Sequence, residues 1–147
     1  LMEVIKWMSI TDRHTKMFLD KHMAHIGVNS SQYMYILRVC RQPGMTQDSF
    51  IKLFHIHPSN VTRAIAALEK EGFLERESNA GDKRTCRLFP TEKAHAANKE
   101  IQAICREWQE RLLEGFNDDQ RRQFEAMLLL AGQNAVHYAL EEKGQEE

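Results

Sequence analysis

No apolar run in this chain approaches the roughly 18 residues needed to span a bilayer. Its beginning also lacks the basic, then apolar, then small-residue order of a secretory leader. A cytoplasmic protein with no membrane partner is expected. Cysteine is scarce: Cys40, Cys86 and Cys105 are odd in number and far apart, with no C-x-x-C pair to suggest a zinc ribbon or a dithiol redox motif. There is no Gly-rich phosphate loop, no G-x-S-x-G and no convincing carboxylate pair or triad, so nothing marks the chain as an enzyme or as the host of a cofactor. His22 with His25 and His55 with His57 invite a metal, yet no neighbouring Cys or acidic pair completes a tetrahedral set, and no metal is expected. Excess positive charge is missing too. With a net charge of −1, the chain cannot coat nucleic acid indiscriminately, because counterion release needs several cations near phosphates.

What is present is ordinary in amount and unusual in placement. At 147 residues, 42% hydrophobic and 28% charged, the chain has the length and composition of one globular domain. Its charge is segregated. Arg63, Lys70, Arg76, Lys83, Arg84 and Arg87 crowd the middle, whereas Glu141, Glu142, Glu146 and Glu147 close the tail. Any contact with an anion therefore belongs to the middle.

Helical periodicity predicts a first helix from about Ser9 to Ile26, ending before Gly27. Asn29 and Gln32 have the spacing of a capping box before a second helix, on which Tyr33, Ile36, Leu37 and Cys40 repeat. Thr46 suits the N-cap of a short third helix carrying Phe50, Leu53 and Phe54. Pro58 suits the first turn and Gly72 the exit of a fourth, with Val61, Ile65 and Leu68 on one face and Ser59, Arg63, Ala66, Ala67 and Lys70 opposite. Two strand-like runs follow, Phe73 to Arg76 and Thr85 to Phe89, joined by the turn Asn79-Ala80-Gly81-Asp82. Thr91 caps a long helix bearing Ala97, Ile101, Ile104, Trp108 and Leu112. Asn117 with Gln120 opens another, bearing Phe124, Met127, Leu128, Ala131, Ala135 and Tyr138. The fold class is mainly α with a small β-hairpin wing: a winged helix-turn-helix at about 29–90, flanked by helices at about 1–28 and 91–147. No Gly/Ser or Pro-rich linker separates them, so a single domain spanning 1–147 is expected. The terminal helices carry more apolar surface than the small lobe can cover, which predicts a two-fold dimer.

The fourth helix and the hairpin carry the chemistry. A helix fits the major groove of B-DNA and reads base edges from its first turns, so Ser59, Asn60, Thr62 and Arg63 are candidate contacts, with Ala66 and Lys70 further along the same face. Small alanines let such a helix approach the floor of the groove. At the wing, Arg84 can enter a narrow minor groove while Asp82 holds its guanidinium; Lys83 and Arg87 add charge. Thr46 and Gln47, at the start of the third helix, are candidates for the DNA backbone.

Together these residues resemble the MarR family of winged-helix transcription regulators. The likeness lies in Asp82, Arg84, Leu88, Thr91 and Ala94 around the wing, in Ser59-Asn60-Val61-Thr62-Arg63, in the run Leu68-Glu69-Lys70-Glu71-Gly72-Phe73-Leu74, and in Gly27 to Tyr33. It extends from about residue 10 to 140. Pro90 departs from the family's usual apolar strand residue and Ala94 from its usual Gly. The resemblance implies a homodimer with interlocked terminal helices, bound to a pseudo-palindromic double-stranded operator. It also implies repression, relieved when a small aromatic effector or an oxidant alters the spacing of the lobes. Trp7, Tyr33 and Trp108 are candidates for lining the effector cavity, although aromatics at helical spacing are more often core. A sensing thiol needs exposure and a lowered pKa, and packing is the better reading of each cysteine. The competing function is a winged module that binds protein rather than DNA.

Overall fold

Local capping signals fix most of the boundaries in the computed structural model, which describes residues 2–77 and 85–145. Helix α1 (Glu3–Met23) runs into a single 3-10 turn (Ala24–Ile26). Then come α2 (Tyr33–Arg41), β1 (Met45–Thr46), α3 (Gln47–Phe54), α4 (Pro58–Lys70), β2 (Leu74–Glu77), β3 (Arg87–Pro90), α5 (Glu92–Leu112) and α6 (Asp118–Gln145). The fold is mainly α with a small antiparallel sheet. Contacts divide the chain into two units, Leu1–Trp108 and Gln109–Glu147.

Strands β2 and β3 start one and two residues later than their expected runs, and three larger differences stand out. Helix α1 starts six residues earlier than Ser9, since nothing from Glu3 onward breaks a helix. Helix α2 starts later than its capping signal: the Asn29 amide reaches Gln32 Oε1 at 3.3 Å, but Asn29 Oδ1 accepts from the Ser31 amide at 2.9 Å. The signal thus closes a turn, and the helix follows it. Strand β1, only two residues long, has no periodicity to betray it.

The sheet order is β1-β3-β2, with Met45 opposite Leu88, Thr46 opposite Arg87, and Leu74 to Glu77 opposite Pro90 to Arg87. Pro90 is therefore in the central strand. It lies past Leu88, where β1 pairing stops, so its missing donor removes no bond from that ladder.

The core of the first unit gathers around α4. Val61, Ile65 and Leu68 are fully buried, together with Tyr35, Ile36 and Val39 of α2, Phe50 of α3, and Phe73, Leu74 and Leu88 of the sheet region. Leu19 and Met23 of α1 and Ala94, Ala97 and Ile101 of α5 complete the cluster. The Tyr35 and Phe50 rings lie 4.7 Å apart. Each large apolar side chain buried here contributes about 1.5 to 3 kcal/mol.

The exit of α4 is tied to the start of α5. Gly72 takes φ +83° and the Phe73 amide returns to Leu68 O at 2.9 Å, closing the last turn. Thr91 Oγ1 donates to Gly72 O at 2.6 Å and accepts from the Ala94 amide at 3.2 Å, so one hydroxyl ends one helix and caps the next. Lys93 Nζ reaches Glu71 O at 2.6 Å and lies 4.4 Å from the Phe73 ring centre, placing a cation at the negative end of α4.

In the second unit, Asn117 and Gln120 form a complete reciprocal capping box, both bonds at 2.9 Å. Arg121 pairs with Glu110 at 2.9 Å and Phe116 meets Phe124 edge-on. Beyond these contacts α6 exposes Phe124, Met127, Leu128, Leu129, Leu130, Tyr138 and Leu140.

Replacing Gly72 by Ala forces a Cβ into a left-handed backbone and should destabilise the fold by about 1 to 2 kcal/mol. The expected result is a lower urea midpoint with an unchanged slope; an unchanged midpoint would show that the turn does not need its positive φ.

Candidate nucleic-acid interface

The turn between α3 and α4 is held by two histidines in different ways. His55 closes α3 in the left-handed region (φ 53°), which His tolerates better than most residues, and its amide returns to Ile51 O at 3.0 Å. His57 is the N-cap of α4: its Nδ1 accepts from the Ser59 amide at 3.1 Å and lies 2.7 Å from Ser59 Oγ. An imidazole thus replaces the usual short polar cap, ahead of Pro58 in the first turn.

Beyond that cap, Ser59, Asn60, Thr62, Arg63, Ala66 and Lys70 are all exposed on α4, whereas Ala67, expected beside them, is half-buried. The polar atoms of the first turns already have protein partners. The Arg63 guanidinium donates to Asn60 Oδ1. Thr62 Oγ1 donates to Pro58 O at 3.0 Å and accepts from Gln47 Nε2 at 2.9 Å. Lys70 lies eleven residues beyond Ser59, about 16 Å along the axis.

Gln47 was expected at the DNA backbone, but its side chain is only 5% exposed and turned inward onto Thr62. Its Oε1 is buried with no hydrogen-bond partner among the described residues. Thr46 does occupy the N-cap of α3; its hydroxyl, however, meets Ser49 Oγ at 2.8 Å instead of a backbone amide. Nothing in the sequence distinguishes these two neighbours. The difference arises because α3 packs on α4 with Gln47 on the inner side.

At the wing, Arg87 is exposed at the start of β3, opposite Thr46 on one side and Glu77 on the other. Arg76 leaves the basic cluster: its side chain is 16% exposed and its Nε lies 2.8 Å from Glu69 Oε2. Asp82, Lys83 and Arg84, with the turn Asn79 to Asp82, lie outside the described residues, as do Glu146 and Glu147 of the acidic tail.

This arrangement, an exposed polar helix face beside a three-stranded sheet, has recognisable relatives. The MarR family profile matches residues 28–86. Over nearly its whole length the chain is similar to a MarR transcriptional regulator from Methanosarcina mazei Go1, with 28% identity and a TM-score of 0.81 over 93% of this chain and 92% of that one. The chain is thus similar to the MarR family across its winged lobe. It is also 26% identical, over 70% of its length and 69% of the relative's, to the HTH-type transcriptional regulator YybA of Bacillus subtilis. A MarR-family protein from Listeria monocytogenes, solved in complex with a 26mer DNA, shares the fold at a TM-score of 0.85 and 22% identity, over 92% of this chain and 91% of that one.

Within this MarR fold the three aromatic candidates for an effector cavity stand apart in their contacts. Trp7 is 56% exposed near the start of α1, its indole N–H on Glu3. Trp108 donates to Thr15 Oγ1 at 2.9 Å and stacks on Phe18, two turns further along α1. Tyr33 is half-buried at the head of α2, where burial and the neighbouring Cys105 push its hydroxyl pKa up. Burial also pushes the Cys40 and Cys105 thiols up, the opposite of what a redox-sensing cysteine needs. Among the described residues no three His, Cys, Asp or Glu side chains gather as a metal site, and no helix is long and apolar enough to cross a membrane.

Two outcomes are expected. His57→Ala, which removes the cap of α4, should cost about 0.5 to 2 kcal/mol, and His57→Asn should recover most of it, both read from urea unfolding. Equal losses for the two would assign His57 a role other than capping. For the thiols, a raised folded pKa means the fold favours the neutral form. Their contribution to stability is then full below the ordinary thiol value and lost as pH rises through the folded one. Alkylation of Cys40 and Cys105 by iodoacetamide, mapped by mass spectrometry, should therefore turn on at higher pH in the native protein than in the unfolded chain; coincident profiles would refute the burial argument.

Proposed function

We propose that this chain is a MarR-family member and a sequence-specific DNA-binding transcriptional regulator that works as a homodimer on a pseudo-palindromic duplex. The observation that carries the reading is α4. Its apolar side is locked into the core, and its opposite side offers Ser59, Asn60, Arg63, Ala66 and Lys70 to solvent on a helix of major-groove dimensions. The relatives' names agree, since they are called transcriptional regulators and one is solved with DNA.

In this reading Arg63 reads a base edge, Asn60 supports it, and Lys70 balances phosphate charge. The wing residues Asp82, Lys83 and Arg84 meet the minor groove, with Arg87 and the amide end of α3 near the backbone. The dimer rests on α6: Met127 to Leu130 are four consecutive exposed apolar residues, which at 100° each encircle the helix. Such a surface calls for a protein partner, and a second copy supplies the two-fold symmetry that an inverted repeat matches. Repression, and release by a small aromatic effector, are the mode of action that the family resemblance implies. The raised Cys40 and Cys105 thiols weigh against either of those two as an oxidant sensor.

Selection of random-sequence duplex DNA by the purified protein tests both halves of the proposal. An inverted repeat with half-sites about 34 Å apart, or a multiple of that, should be enriched. With Arg63→Ala, preference should flatten at one position per half-site, with a loss of about 1 to 3 kcal/mol. Absence of any enriched sequence would overturn the regulator reading in favour of a protein-binding winged module, and an enriched half-site without its inverted partner would overturn the dimer.

A further inference from the structure

Gln47 is a buried amide with half of its hydrogen-bonding capacity unused, a feature native proteins seldom retain without a reason. Its other half is fixed by logic as well as by distance. The one proton of Thr62 goes to Pro58 O, so the group that Gln47 presents to Thr62 Oγ1 must be its NH2. Thr62 itself is exposed. Its side chain has two branches, and the hydroxyl branch is engaged by both bonds, one along its own helix and one to the buried Gln47.

We propose that Gln47 is a positioning residue for sequence readout: by keeping the Thr62 hydroxyl on protein partners, it leaves the Thr62 methyl as the group with which α4 meets the major groove, which selects thymine at one position of each half-site. This rests on the reading that α4 enters that groove. A threonine methyl against the thymine 5-methyl is an established kind of apolar base contact, and burying one methyl is worth about a three- to fivefold change in affinity. Thr62 thereby reads by shape what its hydroxyl would read by hydrogen bonding.

The test uses the full chain and its selected duplex, with each thymine of the half-site replaced singly by uracil, which lacks only the methyl. Wild-type protein should bind about three- to fivefold more weakly at one symmetric position. Thr62→Val, which keeps an outward methyl, should preserve that uracil effect, and Thr62→Ser, which has none, should abolish it. Gln47→Leu should shrink the effect without lowering the melting temperature, a separation that a purely structural role would not produce. If that variant does not fold, Gln47→Met, of similar length and without the amide, takes its place, and the Val and Ser pair decides whether the methyl is read. A specifically bound duplex indifferent to uracil at every position, or a Thr62→Ser protein with the wild-type uracil response, would overturn the assignment while leaving the regulator reading intact. Failure of the wild-type protein to select any duplex removes that reading and this one with it.

Discussion

Burial of Val61, Ile65 and Leu68 along one side of α4 is the constraint from which the rest of the lobe follows. Three anchors at i, i+4 and i+7 fix the rotation of a thirteen-residue helix, because turning it would drive Arg63 or Lys70 into the core at several kcal/mol per ion. The ends are fixed separately, by His57 at the start and by Gly72, Thr91 and Lys93 at the exit. With rotation and both ends set, the backbone that carries the outward residues is fixed, and the polar face is presented on a rigid helix. Preorganisation of this kind reduces the ordering entropy that association must otherwise overcome.

Signals written within four residues were legible. The Asn117 and Gln120 box, the Thr91 cap, Pro58 at the head of α4 and Gly72 at its exit all depend on contacts between near neighbours, and the chain spells them directly. Val61, Ile65 and Leu68 were legible because helical period alone selects them. What escaped depends on partners distant in sequence. β1 exists because Met45 and Thr46 meet β3, more than forty residues away. Gln47 turns inward because Thr62 waits there, and Arg76 withdraws because Glu69 does. The Asn29 signal shows that even a local motif can be shared between two uses, since its side chain closes a turn before the helix begins.

Helix α6 poses the opposite problem from α4. There, the apolar residues Met127 to Leu130 do not line one stripe but surround the axis for a turn, and an apolar girdle of that kind is normally covered by something. Intrahelical pairs such as His137 with Glu141 do nothing to cover Leu128 or Leu130. Surface of that extent demands a protein neighbour, and α1 in the first unit adds its own exposed Val4, Ile5, Trp7, Met8 and Met17.

The composition of α4 overstates what it can read. Ser59 faces His57, the Asn60 carbonyl faces Arg63, and the Thr62 hydroxyl faces Gln47 and Pro58. While its oxygen stays on Arg63, Asn60 does not present the free amide edge that identifies adenine, a contact that needs both ends of the amide. The free hydrogen-bonding edge of this face is mainly the remaining N–H groups of Arg63, a fork suited to guanine, held in aim by its neighbour. An exposed pair of that sort costs little to rearrange, so it orients the guanidinium without locking it. Under the proposed reading, one oriented arginine and one methyl carry only a few base pairs of information on each half-site. A regulator built that way would draw the remainder of its specificity from half-site spacing and groove width, both properties of duplex shape.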